Sequence, residues 1–318
     1  MLKSSDDHRQ LATAEPLLPA RSDADVSRMA STADDLVKVC PACGSASTAP
    51  HLSSGAHDAI LPLRKCAGCD FIYSTRRSSN RERHDDEYHA ARKGQRDPVL
   101  AAMHACNTLD FWSRRLGWKP GLRLLDVGCA EGCLIEVARL MEFDVYGIDV
   151  ADFYVQHWRD RAIPAEVATV ETLAERSELQ FDVIVSRQVI EHVRNLQEFF
   201  RYGATLLKPG GVCIVETGDA GSIQARLLRR NWKYWTATEK EGAHVSFLTV
   251  RSARLLGMRN GMELIETVPM FRYYTLTSYA RQFHEAYASL KTTFKYLLIR
   301  SLLRGNVSYR FRRLPEDG

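Results

Sequence analysis

The hydrophobic positions of this chain change their period along its length, and the changes mark out elements. Leu122–Val127 is a nearly continuous apolar run, the pattern of a strand buried on both faces. A small-residue turn follows over 128–132, and then Leu134, Val137, Ala138 and Met141 fall at helical spacing. Asp144–Val150 and Phe181–Ser186 read as further strands. Leu196, Phe199, Phe200, Ala204 and Leu207 recur at steps of three and four, and the pattern stops at Lys208-Pro209-Gly210-Gly211, a helix end. Val212–Thr217 is another strand. Thr249 can cap a helix that ends near Gly261, and Met262–Val268 returns to strand. Upstream, Val99–Trp118 carries Leu100, Met103, His104, Leu109, Phe111 and Trp112, which predicts a helix lying over the sheet. Strands alternating with helices predict the α/β class, a mostly parallel sheet covered by helices on both faces.

The flanks have a different character. Residues 1–36 are polar and lack a period, so they are expected to be a disordered tail. Residues 37–75 hold paired cysteines, and 76–118 run from a charged linker into the helical lid. The α/β domain is expected over 119–278, and a basic helical extension over 279–318. Within that extension Phe283, Tyr287, Leu290, Phe294, Leu297 and Ser301 step along one side of a helix from Arg281 to Arg304. From Phe271 onward there are nine Lys/Arg against three Asp/Glu, although the whole chain carries only +4. Such a helix has two open readings: docking on the domain or a second subunit, or peripheral contact with an anionic membrane. No apolar run approaches the roughly 18 residues of a membrane span, and the first ten residues contain no apolar core of a secretory signal. A cytoplasmic protein is the expectation.

Eight cysteines in 318 residues are too few for a disulfide framework. Four of them form Cys40-Pro-Ala-Cys43-Gly and Cys66-Ala-Gly-Cys69, with 22 residues between the pairs. Thiolates on two tight turns satisfy tetrahedral zinc, and a set of four leaves no open position, so the metal would be structural. The spacing is slightly longer than the usual ribbon template, and a redox dithiol stays open beside it. Cys106, Cys129, Cys133 and Cys213 lack such spacing and read as small core residues.

The turn Asp126-Val127-Gly128-Cys129-Ala130-Glu131-Gly132 lies between a strand and a helix, where small residues let the backbone approach a ligand. Asp149 follows at the end of the next strand, where a carboxylate can accept from ribose hydroxyls. The nicotinamide fingerprint fits poorly, because its second and third glycines would fall on Ala130 and Cys133. DVGCAEG (126–132), GIDV (147–150), FDVIVSRQVIEHV (181–193) and LKPGG (207–211), in this order, resemble the class I S-adenosylmethionine-dependent methyltransferases over residues 100–270. That resemblance implies a Rossmann-like fold and S-adenosylmethionine as cofactor. It places Asp126, Gly128, Ala130 and Gly132 around the methionine part, Asp149 at the ribose and Val150 against the adenine. Thr169 and Val170 fall in the turn at the adenine edge; many members have an acid where Thr169 stands, so that contact would run through the backbone. Ser186, Arg187 and Gln188 would lie beside the sulfonium. The Cys66–Tyr73 string is similar to bacterial methyltransferases with an N-terminal zinc ribbon.

Methyl transfer to oxygen needs in-line alignment and removal of a proton. Glu191 and His192 directly follow the fourth strand of the domain, and His244 lies in an aromatic-rich stretch with Trp232, Tyr234 and Trp235. These three are the candidate catalytic residues; the competing reading is that Glu191-His192 orients its loop. The aromatics either line an acceptor pocket or pack as core. Gln188 stands where metal-dependent RNA-end methyltransferases place the first glutamate of Glu-x-x-Glu-His, which argues against a catalytic metal. The expected acceptor is a small molecule or glycan, methylated on oxygen. An RNA methyltransferase gripping its substrate with ribbon and tail, and a non-catalytic zinc-ribbon binding protein, are the alternatives. Against RNA, the Asp/Asn-Pro-Pro-aromatic signature is replaced by Ser186-Arg187-Gln188-Val189.

Overall fold

The computed structural model describes residues 39–52, 63–75, 98–131, 133–236, 244–270 and 305–315. The tail over 1–36, the helix expected over 281–304 and Gly132 lie outside them. Seven strands form the main sheet: β4 (Arg123–Val127), β5 (Asp144–Asp149), β6 (Ala165–Val167), β7 (Phe181–Arg187), β8 (Leu207–Gly218), β10 (Met262–Pro269) and β11 (Asn306–Arg313), in the order β10-β11-β8-β7-β4-β5-β6. β4, β5, β6, β7 and β8 pair in parallel. β11 runs antiparallel to both of its neighbours. The sheet is thus mostly parallel and Rossmann-like, as the alternation of elements requires.

Helices cover both faces. On one lie α1 (Pro98–Leu116), α2 (Leu134–Leu140) and α3 (Asp152–Arg159), whose Leu109, Trp112, Ile135, Val155 and Trp158 pack on Leu124, Val145, Val183, Val185 and Ile214. On the other lie α4 (Val170–Arg176), α5 (Leu196–Leu206) and, after the short helix α6 (Ile223–Leu228) that follows β8, α7 (Val250–Arg259), against Leu125, Val127, Ile148, Ile184 and Val215. The alternation of side chains along each strand sorts these residues to opposite faces. Local chemistry starts the helices. The Thr249 hydroxyl accepts from Ser252 N while the Ser252 hydroxyl accepts from Thr249 N. Thr169 and Thr172 make the same reciprocal box ahead of α4, and Asn195 Oδ1 accepts from Glu198 N ahead of α5.

The end of the chain corrects the sequence reading. The extension expected to be helical over 279–318 is a strand at 306–313, inserted between β10 and β8. The cause is a period of two: Val307, Tyr309 and Phe311 are buried in the core, while Ser308, Arg310 and Arg312 alternate with them. The charges of this stretch are locally matched. Arg310 pairs with Glu266 at 3.3 Å and Arg312 with Glu263 at 3.0 Å, both acids on β10.

The cysteine segment builds a second, four-stranded antiparallel sheet: β1 (Thr48–His51), β2 (Leu63–Cys66), β3 (Ile72–Ser74) and β9 (Ser246–Phe247). Its last strand comes from the region between β8 and α7. The small sheet is packed onto the main domain: Gln197 Nε2 donates to Ala42 O, Arg259 donates to Cys43 O at 2.8 Å, and Arg251 meets Asp70 at 3.2 Å.

Candidate active site

The glycine turn sits at the carboxyl end of β4. Gly128 adopts φ 73°, and the amides of Gly128 and Cys129 both donate to Ile148 O, tying the turn to β5. A Cβ added at Gly128 would lie 2.3 Å from Val189 Cγ2, so only glycine fits. Ala130 also has positive φ, 37°, a conformation that costs a residue with a Cβ about 1–2 kcal/mol. Two hydrogen bonds hold it there. Ala130 N donates to Asp149 Oδ2 at 3.0 Å, and Trp158 Nε1 donates to Ala130 O at 2.7 Å. Asp149 Oδ1 accepts from Ala151 N at 3.0 Å, so this one carboxylate joins the β4 turn to the start of α3. Val150 next to it is 40% exposed, an uncovered apolar side chain at the rim of the turn. Thr169 spends its hydroxyl on the α4 cap, and Val170 is buried in the core.

Asp126 is buried beneath the turn. Burial pushes its carboxyl up to about 7; the Arg187 guanidinium works against that rise and Asp149 adds to it. Arg187, at the end of β7, donates through Nε to the buried Glu216 at 2.9 Å. Burial raises the Glu216 carboxyl, and Arg187 and the Thr108 hydroxyl of α1 lower it. Ser186 is fully buried on the opposite face of β7. Gln188 has φ 55° and is partly exposed, with its backbone N at 2.8 Å and its side-chain Nε2 at 3.2 Å both donating to Glu216 O.

Beyond Gln188 a 3₁₀ turn, Ile190–His192, carries the first two catalytic candidates. Glu191 is wholly buried and points inward. Its Oε1 accepts from the Tyr234 hydroxyl at 2.7 Å and its Oε2 from the Thr217 hydroxyl at 3.0 Å. The Tyr234 oxygen also accepts from Gly218 N at 2.9 Å. Burial raises Glu191, and His244, Tyr234 and Thr217 oppose the rise. His192 and His244 are half-buried neighbours, with ring centroids 4.9 Å apart at 70°. Glu191, His192 and His244 each present a ligand-type atom within 4.8 Å of the others. The structure thus brings all three together, with the Glu191 oxygens taken up by hydroxyl donors. His244 Nδ1 lies 3.0 Å from Tyr234 O. A carbonyl only accepts, so Nδ1 carries the proton, and Nε2 is the acceptor atom of the neutral ring.

Trp232 and Trp235 resolve the aromatic question. They are 4% and 2% exposed and pack with Phe247 and with Leu63 and Ile72 of the small sheet, so they are core.

A methyltransferase-domain family model matches residues 104–267. The chain belongs to this methyltransferase family. The methyltransferase is 33% identical over 135 residues to a ubiquinone biosynthesis O-methyltransferase of Nitrobacter winogradskyi, covering 41% of this chain and 47% of that protein. It is 34% identical over 153 residues to the protein of the same name from Alkalilimnicola ehrlichii, covering 44% and 62%. It therefore spans about half the length of the curated relatives it matches. A chain in the solved complex between the Haloferax volcanii Trm112 methyltransferase activator and a methyltransferase superposes with TM-score 0.55 at 16% identity, over 73% of this chain and 99% of that one. This likeness shows the fold.

The four cysteines of the methyltransferase fit zinc. Cys40 Sγ and Cys69 Sγ are 3.6 Å apart, and Cys43 Sγ and Cys66 Sγ 3.5 Å. Zinc–sulfur bonds of about 2.3 Å at tetrahedral angles set neighbouring sulfurs about 3.8 Å apart. Each pair sits on a knuckle. Gly44 N donates to Cys40 O at 2.8 Å and Asp70 N to Cys66 O at 3.0 Å, with Gly44 and Asp70 both at positive φ.

Sequence reasoning missed Thr217, Tyr234 as a ligand of Glu191, and Glu216. Glu216 and Thr217 sit in a strand otherwise read as hydrophobic, and two successive polar residues at a buried strand end were the available signal.

Proposed function

We propose that this protein transfers the methyl group of S-adenosylmethionine to an oxygen of a small-molecule or glycan acceptor. The observation that carries the proposal is the His244–Tyr234–Glu191 arrangement at the carboxyl end of the sheet, beside the β4 turn. The bound cofactor supplies an activated methyl on sulfur. Asp126, Gly128, Ala130 and Asp149 would bind it, the buried Asp126 facing its ammonium group and Asp149 its ribose, with Val150 and the backbone at Thr169 and Val170 bordering the adenine. Ser186, buried at the end of β7 with its hydroxyl unpaired among the described residues, would lie beside the sulfonium. His244 takes the hydroxyl proton at Nε2, because Nδ1 is fixed by the Tyr234 carbonyl. Glu191, buried with two hydroxyl donors, acts through Tyr234 and does not meet the acceptor. His192 lies beside His244 and borders the acceptor. The relatives' names, which specify O-methyltransferases, support oxygen as the acceptor atom.

The test has two steps. Titration calorimetry measures S-adenosylmethionine binding to wild type and Asp149→Ala, with weakening equivalent to about 1.5–3 kcal/mol expected from loss of a charged acceptor. Labelled-methyl transfer is then measured across hydroxylated small molecules and glycans. His244→Ala should lower kcat by about 10²–10⁴-fold with cofactor affinity kept. Cofactor binding with transfer only to RNA would refute the acceptor class; no cofactor binding would refute the enzyme.

A further inference from the structure

The small cysteine sheet and the acceptor side of the active site share backbone. β9 is two residues long, and its ladder partner is β3 of the cysteine segment: Tyr73 faces Ser246 and Ile72 faces Phe247. Ser74 N donates to Val245 O at 2.9 Å, extending the ladder by one residue toward His244. The other side of the same segment grips the catalytic turn. Val245 N donates to Glu191 O at 2.7 Å, and the Ser246 hydroxyl donates to Val193 O. Residues 245 and 246 therefore lie between the cysteine sheet and the Glu191-His192 turn and bond to both. The side chains repeat the pattern. Leu63 and Ile72 pack with Trp232, Trp235 and Phe247, and His51 meets Trp235 edge-on at 5.7 Å. Trp235 is the chain neighbour of Tyr234, whose carbonyl holds His244 Nδ1 and whose hydroxyl holds Glu191.

The metal ligands lead directly into this ladder. Cys66 closes β2, Cys69 ends the knuckle, and β3 begins at Ile72. Cys66 N donates to Phe71 O at 2.8 Å, so the knuckle geometry sets where β3 starts. The cofactor turn at 126–130 is tied to β5, β7, α3 and Val189, and among the described residues its backbone takes no hydrogen bond from the cysteine segment.

We propose that the four-cysteine sheet is a positioning element of the acceptor site: through the β3–β9 ladder and the Ile72–Phe247 packing it holds His244 against Tyr234 and Glu191, leaving cofactor binding independent of it. Ile72 is the positioning residue on the cysteine side. The proposal rests on reading His192 and His244 as the acceptor-side pair, but its test reads where the two rings sit and needs no turnover. Failure of the methyl-transfer reading would therefore leave this result interpretable by itself.

The experiment uses the full chain labelled with ¹⁵N-histidine. Side-chain resonances of His192 and His244 are assigned by single His→Gln variants, and His157 on α3 serves as the internal control. Three samples are compared with zinc-loaded protein: chelator-treated wild type, Cys66→Ser, and Ile72→Ala loaded with cobalt to report an intact four-thiolate site. The expected result is that His192 and His244 resonances shift or broaden in all three while His157 does not. S-adenosylmethionine affinity measured by calorimetry should stay within about threefold, the signature of weak coupling between the two sites. Ile72→Val should restore the wild-type resonances. If Cys66→Ser does not fold, Ile72→Ala decides, since its cysteines are untouched. Unchanged His192 and His244 resonances in Ile72→Ala would overturn the proposal. A parallel loss of cofactor affinity in a folded, cobalt-loaded Ile72→Ala would overturn it too, because that is general destabilisation.

Discussion

Replacing Tyr234 by Phe removes one oxygen and three contacts at once. The hydroxyl donates to Glu191 Oε1 at 2.7 Å, accepts from Gly218 N at 2.9 Å, and lies 2.8 Å from Thr217 Oγ1. A hydrogen bond to a carboxylate contributes about 1.5–3 kcal/mol, and a buried amide left without an acceptor costs about 1–3 kcal/mol. Retention of the Thr217–Glu191 bond limits the total to about 3 kcal/mol, or a Tm lower by roughly 6–12 °C in a domain of this size. The loss should depend on pH. Burial already holds Glu191 above its ordinary 4.5, and Tyr234 is among the groups that oppose the rise. For a carboxyl raised on folding, the native state binds more protons than the unfolded one between the two pKa values, so stability falls as pH rises through that window. Removing a donor raises Glu191 further and extends the window upward. The Tm deficit of Tyr234→Phe should therefore be smaller at pH 5, where the carboxyl is closer to neutral, than at pH 8. Differential scanning calorimetry of both proteins at both pH values checks this. An equal deficit at pH 5 and 8 would refute the claim that Tyr234 stabilises a buried Glu191 charge.

Other consequences are as direct. Asp126 is raised to about 7 by burial, and a bound ammonium would pull it back toward its ordinary 3.8, so S-adenosylmethionine affinity should decline as pH falls below about 7; a flat calorimetric profile from pH 5 to 8 would remove Asp126 from the ammonium site. Gly128→Ala should weaken cofactor binding and also displace Val189; pairing it with Val189→Ala should recover the steric part but not the roughly 1–2 kcal/mol of positive-φ strain, as read by chemical denaturation. Elemental analysis of protein purified without chelator should find one zinc per chain, and Cys69→Ser should lower that content. Ending the chain at Arg304 removes β11 with its buried Val307, Tyr309 and Phe311, and should abolish soluble folded protein by size-exclusion chromatography.

Much of the architecture was legible because it is written in local periods. The β4 turn, the FDVIVS strand and the Thr249 cap are each specified by neighbours in sequence, and they stand where the pattern puts them. β11 was equally local, with Val307, Tyr309 and Phe311 alternating, but its arginines drew it into the basic extension. Those arginines match acids on β10, a partner with no mark in the local sequence. The Glu191–Tyr234–Thr217 set joins residues 43 and 26 positions apart, and no periodicity links them. For the same reason Trp232 and Trp235 could not be sorted between pocket and core from sequence, because Leu63 and Ile72, which cover them, lie in another segment.

The placement of β11 also bears on how the chain reaches this state. β8 and β10 emerge from the ribosome first, yet in the finished sheet they never touch, since β11 lies between them. Until 306–313 is made, the edge of β8 away from β7 shows an unmatched row of amides and carbonyls beside Ile214 and Val215, and β10 has no strand partner among the described residues. A nascent chain stalled in this region would present two open edges, the geometry that recruits another strand. Holdase chaperones should accordingly engage this protein after β10 has emerged, and the engagement should end once β11 has paired with β8 and β10.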